Sequence, residues 1–162
     1  MNEQQVPPYF AETPRFLDQL NFAATLTAVR ASRVFAKSTL TKWGAGIILD
    51  DALLIVSELV TNAIKATGVT DPDLSWGKLP KLNLITVRLV GLDASILIEV
   101  WDCEPREPAP TEAADDDENG RGFTLISALA KRWDTYPSGS GKVVWAELPV
   151  YAPAPKGAAS TA

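Results

Sequence analysis

Glu58 and Asn62 are two polar residues whose spacing could bring them together in a functional site. They lie in the segment SELVTNA of a predicted helix, where residues four positions apart project from the same face. Because the neighbouring residues are apolar, an inward-facing Glu and Asn would need a partner. A cation with bound phosphate would be one, since Asn62 offers a carbonyl oxygen for Mg²⁺ and Glu58 can orient or deprotonate a hydroxyl. The alternative is that both side chains lie on the solvent face.

Asp102 is a further candidate, because it ends the apolar segment ILIEVWD, which we interpret as a strand. A carboxylate at the end of a strand can accept a hydrogen bond from an exocyclic amine such as that of adenine. The alternative is that Asp102 starts the turn that leads into Glu104 and Pro105. The residues alone leave both interpretations open.

The tripeptide Gly120-Arg121-Gly122 precedes a predicted helix that begins with Phe123. Glycines at this position allow the backbone to approach a ligand, and the free N–H groups of a helix start favour phosphate. The same tripeptide is also typical of a flexible hinge. The acidic run Asp115–Glu118 would repel a bare triphosphate, so we interpret that run as part of a solvated lid.

The composition limits the chemistry that these residues could do. The chain of 162 residues has no histidine and a single cysteine, Cys103, which excludes His-based acid–base catalysis and leaves almost no ligands for zinc. A catalytic base would have to be a carboxylate, and a metal would be a hard cation bound by oxygen. The net charge of −5 argues against direct binding of nucleic acid.

The sequence gives no sign of a membrane protein or a secreted one. No stretch approaches the roughly 18 apolar residues of a membrane span. Met1–Tyr9 has no basic residue and no apolar core, so it does not resemble a secretory signal. We therefore expect a cytoplasmic protein that does not bind membranes.

Apolar periodicity, together with Gly and Pro signals, predicts the elements that would position these residues. Their order predicts an α+β fold, a two-layer sandwich with the helices on one face of a mixed, mostly antiparallel sheet. We expect one domain at 15–150, between flexible segments at 1–14 and 151–162. The predicted elements are a strand at 15–23, helices from Thr25 or Thr27 to about Trp43 and at 46–65, strands at 81–90 and 95–101, a helix that begins after Gly120 and runs to about Arg132, and a strand at 142–148.

The order of these motifs resembles that of the GHKL superfamily, whose Bergerat ATP-binding fold occurs in histidine kinases, gyrase B, Hsp90 and MutL. A helix with ELVTNA, a strand ending in VWD, a loop, GRG at a helix start and a strand GKVVWAEL follow one another. Within the superfamily, the sequence most resembles the small stand-alone anti-sigma-factor serine/threonine kinases, especially the actinobacterial ones. The resemblance covers Arg15 to Leu148, and SELVTNA and GRGFTLISALAKRW are specific at the family level.

The resemblance implies an ATP site in which Glu58 is the catalytic base, Asn62 the Mg²⁺ ligand and Asp102 the adenine contact. The glycine-rich tripeptide would belong to the phosphate-binding lid and helix start. The remaining nucleotide-binding residues would be Lys65, Gly120, Arg121, Gly122 and Phe123. For Lys65 the alternative is a solvated cation at the end of its helix.

Two functions from different classes follow from the resemblance. Related proteins phosphorylate a serine or threonine of a small anti-anti-sigma (STAS-type) protein, and hold a sigma factor as homodimers. The first hypothesis is therefore an ATP- and Mg²⁺-dependent protein serine/threonine kinase, and the presence of Glu58 favours it. The second is a catalytically degenerate GHKL-fold module that sequesters a protein partner without phosphotransfer. The family's Asp-x-Gly box reads Asp102-Cys103-Glu104 here, and the missing glycine favours this second hypothesis.

Overall fold

A computed structural model describes residues 12–68, 82–106 and 118–150, with the backbone alone at 118–122. Within these ranges the chain forms five strands and three α-helices. The strands are β1 (Phe16–Ala23), β2 (Leu84–Gly91), β3 (Ser95–Asp102), β4 (Arg132–Ser138) and β5 (Gly141–Pro149). The helices are α1 (Thr27–Lys42), α2 (Leu49–Thr67) and α3 (Glu118–Leu129), and a short 3₁₀-helix, Gly46–Ile48, leads into α2.

The five strands form one sheet in the order β1-β2-β3-β5-β4, and every pairing among these strands is antiparallel. The strands β3 and β5 are neighbours although α3 and β4 separate them along the chain. The predicted α+β fold with a mostly antiparallel sheet is therefore confirmed.

The helices cover one face of the sheet, as the order of the elements predicted. Alternate residues of a strand face opposite sides, so Ile96, Ile98 and Val100 of β3 all meet the helices. Residues of all three helices share one buried core with alternate residues of β2, β3 and β5. The buried residues that α2 contributes are Ala52, Ile55, Val56, Leu59, Val60, Ala63 and Ile64.

A polar contact fixes α1 against α2 near the predicted functional residues. The guanidinium of Arg33 donates to Ser57 Oγ at 2.7 Å and to the carbonyl oxygen of Leu53 at 3.2 Å. Ser57 directly precedes Glu58 in α2. The position of this turn of α2 is therefore set by a neighbouring helix as well as by the core.

The strand β4 was not predicted from the sequence. The sequence analysis predicts a helix to about Arg132 and no strand before Gly139. The helix α3 ends at Leu129, and β4 begins at Arg132. Pro137 makes this segment look unlike a strand, but β4 lies at the edge of the sheet, where a missing N–H is tolerated. Tyr136 fixes the strand by donating a hydrogen bond to the buried carboxylate of Glu99 at 3.0 Å.

Several predicted segments lie wholly or mostly outside the described residues. They are the terminal segments at 1–14 and 151–162, the loop at 67–80, and the lid with its acidic run at 104–119.

Candidate functional site

A cavity of about 430 Å³ lies between α2, the last residues of β3 and the first residues of β5. This volume falls within the roughly 300–1,000 Å³ typical of small-molecule sites. Part of the lining is apolar and belongs to the core, and the rest is polar or charged. The lining residues are Leu59, Asn62, Ala63, Lys65 and Ala66 of α2, Val100 and Asp102 of β3, Glu104 and Arg106 after it, Phe123 of α3, and Lys142 and Val144 of β5.

Asn62 lines this cavity, so the alternative that places it on the solvent face does not apply. Its side-chain nitrogen Nδ2 is buried and has no hydrogen-bond partner among the described residues. A buried donor without a partner costs about 1–3 kcal/mol. A polar ligand in the cavity would remove that cost, and Asn62 therefore has the character of a ligand contact.

Glu58 and Lys65 lie on the same helix as Asn62, but only Lys65 lines the cavity. Lys65 follows Asn62 by three positions and is exposed at the rim. Glu58 precedes Asn62 by about one turn and is half-buried, and no hydrogen bond or ion pair joins its carboxylate to another described residue. The role of Glu58 as a base remains a prediction.

Asp102 lines the cavity, and its side chain is only 4% exposed. Its Oδ1 accepts a hydrogen bond from the backbone N–H of Glu104 at 2.9 Å. An aspartate that binds the backbone two residues ahead forms an Asx turn, so the turn-initiating interpretation also applies. The same side chain thus shapes the turn and presents a carboxylate to the cavity.

Lys142 is a site residue that the sequence analysis missed. It is the direct partner of Asp102 in the β3–β5 register, and its Nζ lies 2.9 Å from Asp102 Oδ1. The Nζ also donates to the carbonyl oxygen of Glu104 at 2.9 Å. The sequence does contain a signal for this residue. Lys142 lies two and four positions before Val144 and Ala146, which face the helices, so its side chain is on the same face of β5.

Glu104 and Arg106 form the rim of the cavity. Glu104 Oε1 accepts hydrogen bonds from the Nε of Arg106 at 2.8 Å and from its backbone N–H at 3.1 Å. These bonds, the side-chain one first, lower the pKa of Glu104 from the ordinary 4.5 to about 2. The residue that replaces the glycine of the Asp-x-Gly box therefore stays charged and holds an arginine at the cavity.

The third helix places Phe123 in the lining, where the sequence predicted a nucleotide contact. Phe123 stacks on Trp133 of β4 with the ring centroids 4.8 Å apart, so the unpredicted strand supports this residue. The prediction that the helix begins after Gly120 is wrong, because α3 begins at Glu118. Gly120 and Arg121 belong to its first turn, whose N–H groups lack partners within the helix, and Gly122 follows them.

The charges in the lining suit an anionic ligand. Three cations line the cavity, Lys65, Arg106 and Lys142, against two carboxylates, Asp102 and Glu104. This excess of positive charge occurs in a chain whose net charge is −5. A phosphate-bearing ligand is therefore favoured at this place over the rest of an acidic surface.

None of the helices in the described ranges is long and apolar enough to cross a membrane.

Comparison with known proteins identifies the family. Among solved structures, the catalytic domain of the histidine kinase ThkA, in a nucleotide-free form, is similar, with a TM-score of 0.48 and 16% identity, covering 82% of this chain and 96% of that chain. No curated protein sequence matches the chain. The family model described as a histidine kinase-like ATPase domain matches residues 22–148, which include every residue that lines the cavity. The chain belongs to this family of GHKL-type ATP-binding domains.

Proposed function

We propose that the chain is a regulatory protein serine/threonine kinase that uses ATP and Mg²⁺. Its substrate is a serine or threonine of an anti-anti-sigma (STAS-type) protein, and as a homodimer it binds a sigma factor in the cytoplasm. The proposal of a nucleotide ligand rests on the cavity. Its lining includes Asn62, whose amide nitrogen has no partner among the described residues, the carboxylate of Asp102 and three cations. Membership of an ATPase family supports the same ligand.

The apolar part of the cavity would hold the base. Leu59, Val100 and Val144 belong to the buried core and also line the cavity beside Asp102. A flat aromatic ring gains from burial against such side chains, while a carboxylate at its edge accepts from an exocyclic amine. This combination favours adenine next to Asp102.

The polar part of the cavity fits the phosphates and a metal ion. Lys65 and Arg106 line it, and the buried Nδ2 of Asn62 is a donor, without a partner among the described residues, that a phosphate oxygen could accept from. Mg²⁺ is commonly bound by one or two protein oxygens together with substrate phosphates, and the carbonyl oxygen of Asn62 supplies one such ligand. When bound there, Mg²⁺ would neutralise charge on the transferred phosphoryl group.

In the proposed phosphoryl-transfer step, Glu58 acts as the base. The substrate hydroxyl oxygen forms a bond to the γ-phosphorus, the bond to the ADP oxygen breaks, and the hydroxyl proton passes to the carboxylate of Glu58. The absence of any hydrogen bond or ion pair from Glu58 to the described residues is consistent with a carboxylate that is available to a substrate.

The nucleotide site is tested by calorimetric titration of the full chain with ATP and ADP, with and without Mg²⁺. We expect micromolar binding of ATP that requires Mg²⁺ and is lost in Asn62→Ala. The matched control is Asn21→Ala, which makes the same change on an exposed residue of β1. Binding that survives in Asn62→Ala at full strength would contradict the site.

The kinase activity is tested by incubating the chain with ATP, Mg²⁺ and recombinant STAS-type proteins, followed by mass spectrometry of phosphoserine and phosphothreonine. Glu58→Gln should abolish transfer and retain ATP binding, whereas Glu12→Gln, on an exposed residue, should change neither. Transfer by Glu58→Gln at the normal rate would exclude Glu58 as the base. ATP binding without transfer to any STAS-type protein would exclude the proposed substrate class.

The second candidate is a binding module that sequesters a protein partner without phosphotransfer. Two observations favour it: Glu58 is not among the residues that line the cavity, and Glu104 replaces the glycine of the nucleotide box. A pull-down with Asn62→Ala distinguishes the candidates. A module of this kind should capture its sigma factor or STAS-type partner equally well with the wild-type and variant chains and without nucleotide.

A further inference from the structure

Lys142 is a buried cation inside the cavity to which the proposed function assigns no ligand contact of its own. The residue is 5% exposed, and it lines the cavity beside Asp102. Burial of an ammonium group is costly unless the group is paired and hydrogen-bonded. Its two acceptors, Asp102 Oδ1 and the carbonyl oxygen of Glu104, hold Nζ in place.

This arrangement leaves one donor and one acceptor side by side. The Nζ of Lys142 has three N–H groups, and two of them have acceptors among the described residues. The carboxylate of Asp102 has two oxygens, and both hydrogen bonds from described residues go to Oδ1. One N–H of Lys142 and the Oδ2 of Asp102 therefore have no partner in the described part of the chain.

A ligand that satisfies both groups must present a donor next to an acceptor. The edge of adenine does so, with the 6-amino group beside the ring nitrogen N1. A 6-oxopurine presents the reverse order, a carbonyl oxygen beside an N1–H. In the base orientation that places the 6-position against Asp102, such a carbonyl oxygen would be repelled by the carboxylate and would leave buried groups unpaired, so in this orientation the site favours adenine.

We propose that Lys142 is a specificity-determining residue that donates a hydrogen bond to N1 of adenine while Asp102 accepts from the 6-amino group. This inference rests on the proposed nucleotide site and deepens it. The pairing with Asp102 and the bond to Glu104 fix the position of Nζ before any ligand enters, so recognition needs no rearrangement of the lysine.

Modified nucleotides test the inference on the unaltered full chain. Calorimetry would compare ADP with 1-deaza-ADP, in which C–H replaces N1, and with 7-deaza-ADP, which keeps both N1 and the 6-amino group. We expect 1-deaza-ADP to bind at least about 10-fold more weakly than ADP, the loss typical of one hydrogen bond to a charged group. The 7-deaza compound should bind as ADP does.

The variant Lys142→Met assigns the effect to the lysine, with Lys37→Met on the exposed face of α1 as the matched control. The Lys142 variant should bind ADP and 1-deaza-ADP with equal affinity, while the control should keep the 10-fold difference. Equal binding of ADP and 1-deaza-ADP by the wild-type chain would overturn the inference and leave the nucleotide site standing. No binding of ADP or ATP by the wild-type chain would overturn the proposed function itself.

Discussion

Gly141 lies directly against the backbone of Asp102. A Cβ atom at position 141 would overlap the carbonyl oxygen of Asp102 and would be 3.0 Å from the Cα of Cys103. The missing side chain therefore lets β5 begin close to the end of β3. Lys142, the next residue, is in register with Asp102.

The first prediction concerns this close contact. Gly141→Ala must displace backbone atoms, and we expect it to lower the free energy of unfolding by about 1–3 kcal/mol and to weaken nucleotide binding. Chemical denaturation and calorimetry measure the two effects. Gly46→Ala is the control, because a Cβ there meets no atom within 4 Å. A Gly141→Ala chain as stable as the control would show that β5 can move without cost.

The second prediction concerns the ion pair between Asp102 and Lys142, whose side chains are 4% and 6% exposed. Removal of one member leaves a buried charge, so Lys142→Met should lower the free energy of unfolding by about 3–5 kcal/mol. The double variant Lys142→Met/Asp102→Leu should recover most of that loss, because no charge is left unpaired. Denaturant titrations of the two single variants and the double variant measure the coupling. Strictly additive effects would mean that the two residues do not interact energetically.

Much of the fold could be predicted because it follows from local patterns. Helix α2 has a wide apolar face, and β3 is an apolar segment bounded by turn residues. The strand β4 could not be predicted in the same way. It contains Pro137 and owes its strand conformation to pairing with β5 at the edge of the sheet, which is a tertiary effect.

The residues of the candidate site also differ in whether the local sequence could identify them. Asn62 and Asp102 could be identified because a polar residue stands out within an apolar helix or at the end of an apolar strand. The contact between Lys142 and Asp102 joins residues 40 positions apart, and it depends on the β3–β5 register. That register is set by packing across the whole sheet, so local sequence did not reveal it.

The third prediction separates stability from function at Asn62. Its buried Nδ2 has no partner among the described residues, so an apolar side chain of similar size avoids that cost. Asn62→Leu should raise the free energy of unfolding of the nucleotide-free chain by about 1 kcal/mol. The same variant should lose the stabilisation that the wild-type chain gains from ATP and Mg²⁺. Thermal denaturation with and without the nucleotide measures both effects, and a less stable Asn62→Leu chain would contradict the prediction.

The fourth prediction concerns the pKa of Glu104, which two hydrogen bonds from Arg106 lower from 4.5 to about 2. Arg106→Ala removes the side-chain bond, the larger cause, and keeps the backbone bond. The pKa of Glu104 should therefore rise but remain below 4.5. NMR titration of the Glu104 side-chain carboxyl carbon in the full chain measures this shift. Arg30→Ala, on an exposed residue of α1, is the control and should leave the pKa of Glu104 unchanged.

The sign of the pH dependence follows from the lowered pKa. A carboxylate whose pKa is lower in the folded state stabilises that state above the unfolded pKa, and the contribution is lost as pH falls through the folded value. For Glu104 the loss should occur as pH falls from about 4.5 to about 2. The effect should be small and should weaken with salt, because Arg106 is exposed to solvent. If Arg106→Ala left both the pKa of Glu104 and this pH dependence unchanged, Arg106 would not be the cause of the low pKa.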